Sequence, residues 1–197
     1  MDEQGWLYLI VGPSGAGKDT LLDIARAYFS HSTNVAFPRR YITRPENSGG
    51  EDHIAISADE FLNKEKAGLF TFSWKAHNLC YGVPLAINDA LASGKSVVVN
   101  VSRSVLNEAR LEYKKIRIIS IVVDKEALRK RLQARGREST LDINIRLERA
   151  TAFKVTGKNV IEIDNSIAIE DSSSNFINAI ENPYLHTLSY EHSYSRN

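Results

Sequence analysis

A chain of 197 residues with 25 Lys and Arg against 24 Asp and Glu carries a formal charge of +1, so no strong overall basic field supports nucleic-acid binding. This length suits one domain with a full core and room for a small inserted subdomain. The single cysteine, Cys80, excludes an intramolecular disulfide framework and fits a reducing compartment; with no basic export segment after Met1-Asp2-Glu3-Gln4 and no membrane-length apolar run, the expectation is a soluble, cytoplasmic protein without a membrane partner.

The apolar, β-branched stretch Trp6 to Val11 predicts a buried strand, and Leu21, Leu22, Ala25 and Phe29 recur at helical spacing. Between them lies Gly12-Pro13-Ser14-Gly15-Ala16-Gly17-Lys18-Asp19-Thr20. Strand, glycine-rich loop and helix in this order form a phosphate cradle: backbone N–H groups turn inward on an anion, the helix start adds partial positive charge, and Lys18 reaches the outer phosphates. The loop residues Gly12 to Thr20 are therefore the nucleotide-binding candidates. The usual pattern follows the lysine with Ser or Thr for magnesium; here Asp19 stands in that place and Thr20 comes next.

After a polar turn at His31 to Asn34, a second strand is expected near Val35 to Phe37. Arg39-Arg40-Tyr41-Ile42-Thr43-Arg44-Pro45 reads as too cationic and irregular for a core element, and as an anion-binding stretch. Ser57-Ala58-Asp59-Glu60 has the form of a capping box opening a helix that ends near Gly68. A short strand follows over Leu69 to Trp74, Lys75 to Val83 reads as turn-like, and Pro84 suits the first turn of a helix reaching Gly94.

Val97 to Val101 and Ile116 to Val123 predict buried strands with a helix between them; alternating strands and helices imply an α/β fold with a central parallel sheet covered by helices. From the N-cap Asp124 a helix runs to Gly136. Arg131 and Arg135 share one of its faces, and Arg146 and Arg149 share a face of the next helix, so several arginines can converge as a lid. Asn159 to Ile163 is the expected last strand, and a final helix begins near Asp171.

With these residues in place, the chain resembles the guanylate kinase family from Trp6 to Ile180. The resemblance rests on Gly12 to Lys18, Thr43-Arg44, Tyr81-Gly82, and Arg131 to Gly136 followed by Arg146. It implies a P-loop kinase domain over 1-182, with an acceptor-binding insertion over about 35-94, an arginine-rich lid over about 131-150, and a polar tail over 183-197. Other segments resemble the branch of that family that phosphorylates ribose 1,5-bisphosphate with ATP to 5-phosphoribosyl 1-diphosphate in phosphonate breakdown. They include Lys18-Asp19, Arg40 to Arg44, Asp52 to Ala55, Ser73 to His77, Val99 to Arg103 and Arg135 to Glu138.

The departures from guanylate kinases have a chemical sense. Those enzymes hold guanine with acidic residues where this chain has Ser73 and Asn100, which cannot supply a charge-assisted pair of acceptors. The family's tyrosine near the acceptor phosphate is His53 here. The resemblance implies that Lys18, Arg131, Arg135 and Arg146 act in the transfer step, and that Arg40, Arg44, His53, Tyr81 and Arg103 place the acceptor. His77 is a further candidate donor, and magnesium accompanies ATP, with Asp19 or alternatively Thr20 organising it. Two other readings share this scaffold: another nucleoside monophosphate kinase, and a noncatalytic protein-binding module. The intact Lys18 and lid arginines argue against the latter. Oligomeric state is not legible.

Overall fold

The computed structural model describes residues 4–46, 51–136, 140–151, 154–157 and 159–184. Strand β1 (Leu7–Val11) is fully buried along its length, as a continuous bulky apolar run requires two covered faces. Helix α1 (Lys18–Tyr28) follows the glycine-rich loop and turns Leu21, Leu22 and Ala25 into the core. Later come β2 (Val35–Ala36), β7 (Ser96–Asn100), β8 (Ile116–Val122) and β9 (Val160–Asp164). The larger sheet has the order β2-β7-β1-β8-β9, with β2 parallel to β7 and β8 parallel to β9. The order reverses direction at β1, so the loop after this strand occupies the switch point at which α/β sheets bind ligands.

Two compact units share the chain: Met1–Leu9 with Tyr28–Ile116, and Ile10–Ala27 with Arg117 onward. The first contains a second sheet, built from β3 (Arg40–Ile42), β4 (His53–Ala55), β5 (Phe70–Ala76) and β6 (Leu79–Pro84) in the order β4-β3-β6-β5. Strand β3 pairs parallel with β4, setting Arg40 against His53, and antiparallel with β6, setting Tyr41 against Gly82. Strands β5 and β6 form a hairpin in which Trp74 opposes Tyr81.

Three expectations from the sequence are corrected in this unit. The cationic stretch around Arg40 is a strand, with Arg40 and Ile42 both buried, because neighbouring groups neutralise the arginine. Within Lys75 to Val83 only His77 and Asn78 turn, both with positive φ (51° and 61°), as a two-residue hairpin needs for its twist. Pro84 closes β6, and the next helix, α3 (Ile87–Ala92), begins three residues later. The capping box does form: Ser57 Oγ accepts from Glu60 N at 3.2 Å, and Glu60 reaches back to Ser57 N at 2.9 Å, opening α2 (Ala58–Lys66).

A turn of 3-10 helix (Arg103–Val105) leads into α4 (Leu106–Glu112). In the second unit, α5 (Lys125–Arg135) starts at Asp124, whose carboxylate accepts from Ala127 N at 2.7 Å. Helix α6 (Thr140–Thr151) packs on α5 through Leu128, Leu132, Ile143 and Leu147. Helix α7 (Ile169–Glu181) buries Phe176, Ala179 and Ile180, and Ser172 within it donates to the Asp164 carbonyl at the end of β9, at 2.9 Å. The polar tail expected over 183-197 lies almost wholly outside the described residues. Among the described residues no helix is long and apolar enough to cross a membrane.

Candidate active site

The glycine-rich loop belongs to the second unit. Lys18 Nζ donates to the carbonyls of Gly12 at 2.8 Å and Pro13 at 2.9 Å, which folds its ammonium over the curl of the loop. Two glycines take backbone conformations that other residues rarely adopt, with φ of 91° at Gly15 and 86° at Gly17. A Cβ on Gly15 would stand 2.9 Å from Leu128 Cδ1 and 3.1 Å from Leu132 Cδ2, so the loop lies directly against the apolar face of α5. A Cβ on Gly17, whose φ is +86°, would stand 2.3 Å from Asn165 Nδ2. Asn165 is buried after β9, and its Nδ2 donates to the Ala16 carbonyl at 2.6 Å.

The α5 and α6 arginines reach the same loop. Arg131 Nη2 donates to the Asn165 carbonyl at 2.6 Å and Nη1 to the Ala16 carbonyl at 3.4 Å. Arg146 Nη1 donates to Ser14 Oγ at 2.9 Å. Arg135 is the last residue of α5, and its side chain lies outside the described set. Asp19 and Thr20 occupy the first turn of α1 with exposed side chains. Backbone N–H bonds from Ala127 hold the Asp124 carboxyl below its ordinary range, which keeps the N-terminus of α5 capped by a charge. The loop thus has the side chains of Lys18, Arg131 and Arg146 hydrogen-bonded to it, three cations at one glycine-rich turn.

A different cluster of polar groups lies in the first unit. Trp74 and Tyr81 stack with ring centroids 5.3 Å apart and planes 1° from parallel. The guanidinium of buried Arg40 sits 5.4 Å from the Trp74 ring centroid and 5.3 Å from that of Tyr81, a cation held on aromatic faces. Both carboxylate oxygens of Glu51 accept from Arg40 Nη2. Buried His53 has Nδ1 3.0 Å from the Glu51 carbonyl and Nε2 3.1 Å from the Arg44 carbonyl, tying those two backbone positions together. Arg44 Nη2 comes within 3.4 Å of His53 Nδ1, while Arg44 Nε is buried without a hydrogen-bond partner. Burial raises the pKa of the Tyr81 hydroxyl, against the charges of Arg40 and Arg44, and the Glu51 charge raises it further.

The structure therefore brings together Arg40, Arg44, His53 and Tyr81 of the sequence-derived candidates. Arg103 begins the 3-10 turn after β7, where burial lowers the pKa of its guanidinium. His77 lies at the tip of the β5–β6 hairpin. Ser73 Oγ donates to Glu65 Oε1 at 2.6 Å, so its hydroxyl is engaged with a carboxylate from α2, and Asn100 ends β7 half-buried.

The model of the guanylate kinase family matches residues 4–181. This chain belongs to the guanylate kinase family. Among curated relatives, ribose 1,5-bisphosphate phosphokinase PhnN of Rhizobium etli is 42% identical over 175 residues, 89% of each chain. The protein of that name from Agrobacterium fabrum is 43% identical over 175 residues, covering 89% of this chain and 96% of its own. The crystal structure of guanylate kinase from Anaplasma phagocytophilum matches with a TM-score of 0.64 over 93% of this chain and 88% of that one, at 19% identity, which shows the shared fold.

Within this guanylate kinase scaffold, sequence reasoning missed three contributors. Asn165 is a lone amide after a strand and has no local signal. Glu51 was part of a loop between the cationic stretch and His53, and only pairing with Arg40 distinguishes it. Trp74 gives up its role through the register of β5 against β6, a long-range fact.

Proposed function

We propose that this protein transfers the γ-phosphoryl group of ATP to the 1-phosphate of ribose 1,5-bisphosphate, giving 5-phosphoribosyl 1-diphosphate. The observation that carries the reading is the acceptor-side cluster: Arg40, Arg44, His53 and Tyr81 gathered in one unit, with a serine at the position where guanylate kinases place a guanine-reading acid. The names of the relatives point to the same acceptor.

An acceptor phosphate with a second pKa near ~6 is largely dianionic at neutral pH, so its oxygen attacks without a general base. The protein's work is to position two polyanions in line and to neutralise charge on the transferring oxygens. Lys18, Arg131, Arg135 and Arg146 serve the transfer step. Arg44, Tyr81 and Arg103 present donors to the acceptor, and Arg40 and His53 hold the parts around them. The exposed Asp19 carboxylate and Thr20 hydroxyl are two oxygen donors at the loop lysine, which fits a magnesium ion held largely by phosphate oxygens and water. Asp19 or Thr20 would hold or orient that ion, which would supply positive charge to the phosphates during transfer.

The test is incubation with ATP and magnesium and, in parallel, ribose 1,5-bisphosphate, GMP and other monophosphates, with products identified by phosphorus NMR. The expected result is turnover of ribose 1,5-bisphosphate far above GMP, since two lost charge-assisted bonds amount to roughly 1.5–3 kcal/mol each. Comparable efficiencies would overturn the acceptor assignment.

A further inference from the structure

Glu51 is an acidic residue placed among groups that would otherwise all attract anions. Its carboxylate lies on Arg40, and its charge acts on Tyr81, as do those of Arg40 and Arg44. A negative charge here lowers affinity for a phosphate in general, so its presence calls for a different use. The residue is held at side chain and backbone: Arg40 Nη2 donates to both carboxylate oxygens, and His53 Nδ1 lies 3.0 Å from the Glu51 backbone carbonyl. Arg40 is itself immobilised on the Trp74 and Tyr81 rings and is buried, so the pair is not a loose surface bridge. A group anchored in this way is preorganised rather than poised to swing aside for a competing anion. Each carboxylate oxygen has a further lone-pair direction beyond the one given to Arg40. What remains is a fixed, acceptor-only site that can satisfy hydroxyl donors and repels phosphate.

We infer that the Glu51 carboxylate, held by Arg40, accepts hydrogen bonds from the ring hydroxyls of the acceptor's ribose and selects a hydroxylated sugar phosphate. Arg40 is then a positioning residue that acts through Glu51, and the acceptor phosphates fall to Arg44 and its neighbours, where a buried Nε–H has no protein partner. This inference rests on the ribose 1,5-bisphosphate reading. A vicinal diol matches a carboxylate because two neighbouring donors meet two fixed acceptor oxygens, as acidic residues do on nucleotide riboses elsewhere.

The experiment compares kcat/KM for ribose 1,5-bisphosphate, its 2-deoxy and 3-deoxy analogues and GMP, in the unaltered protein and in Glu51→Gln, with thermal melts of both. The unaltered protein is expected to favour ribose 1,5-bisphosphate over at least one deoxy analogue by about 10- to 100-fold, the range for a hydrogen bond to a charged group. Glu51→Gln is expected to shrink that preference to about threefold or less. Equal use of the three sugars by the unaltered protein overturns the inference and leaves the acceptor assignment standing. So does an equal loss on every sugar in Glu51→Gln, which marks a purely structural pair, or an equal gain, which marks a competing anion. Turnover of GMP with none of the sugars overturns the acceptor assignment and the hydroxyl role with it. Where Glu51→Gln does not fold, Glu51→Asp, which withdraws the carboxylate by one methylene, is read by the same criteria.

Discussion

Asn165 Nδ2 donates to the Ala16 carbonyl at 2.6 Å, and through this bond the end of β9 holds the phosphate loop in its curl. The same asparagine receives Arg131 on its own carbonyl, so loop, strand end and α5 meet at one residue. Its Oδ1 is buried without a partner, a cost that the fold carries beside the glycine-rich loop. Removing the side chain therefore deletes one favourable bond and one unfavourable orphan. Asn165→Ala is expected to change stability by less than about 1.5 kcal/mol in urea unfolding. The KM for ATP should rise about tenfold or more, with a smaller change in the KM for the acceptor. A large stability loss with an unchanged KM for ATP would make Asn165 a core residue only.

Lys18 and Arg146 both contact the loop, one through the Gly12 and Pro13 carbonyls and the other through Ser14 Oγ. Charge stabilisation during transfer is their expected work, and an arginine in that role is worth roughly 10³ to 10⁵ in rate. Lys18→Ala and Arg146→Ala should therefore lower kcat far more than they raise the KM for the acceptor, whereas Arg44→Ala should act mainly on the acceptor KM. Near-normal kcat in the first two variants would assign the transfer step to other residues.

What the sequence made legible was what local chemistry dictates. The loop after β1, the capping box at Ser57 and the N-cap Asp124 each announce themselves within four to seven residues; the structure has the loop between β1 and α1, the box and the cap at those positions. The long apolar runs at β1, β7 and β8 are legible for the same reason. Strand β3 was not, because a buried arginine looks like a surface one until Glu51 and two aromatic rings are brought to it from positions 11 to 41 residues away. Strand β6 was hidden by the polar turn His77-Asn78 beside it, and Asn165 by its 149-residue separation from Ala16. Pairings of that span leave no periodicity in the sequence.

Tyr113 sets an alkaline limit to stability. Burial is the main cause that pushes its hydroxyl up to about 12, and the hydroxyl donates to Asn88 Oδ1 at 2.6 Å. The folded pKa lies above the ordinary value of 10.0, so the neutral form is favoured by folding. Its contribution is complete below pH 10 and is lost as the pH rises toward about 12. At one pKa unit per about 1.4 kcal/mol, this amounts to at most about 3 kcal/mol. Urea unfolding across that range should show the decline in the unaltered protein and a shallower one in Tyr113→Phe, which is less stable at neutral pH for want of the Asn88 bond. Identical slopes would place the alkaline transition on other groups.

Asp19 is the chain's departure from the usual phosphate-loop pattern, and its position constrains what it can do. It lies in the first turn of α1, exposed, directly after the lysine that curls over the loop carbonyls. A carboxylate there is stabilised by the helix dipole whether or not a metal is present, so a structural role and a metal role both favour an acid. Charge separates the two. Asp19→Asn keeps the shape and the hydrogen-bonding oxygen but removes the negative charge that would attract magnesium, an ion that prefers oxygen ligands and retains several waters. If Asp19 holds the ion or orients its water, the variant should need about tenfold more magnesium for half-maximal rate while unfolding at nearly the same urea concentration, since a helix-dipole charge is worth only about 0.3–1 kcal/mol. Thr20→Val tests the neighbouring hydroxyl in the same assay. A magnesium requirement that moves with Thr20→Val and not with Asp19→Asn would transfer the role to the threonine and leave Asp19 to the helix start.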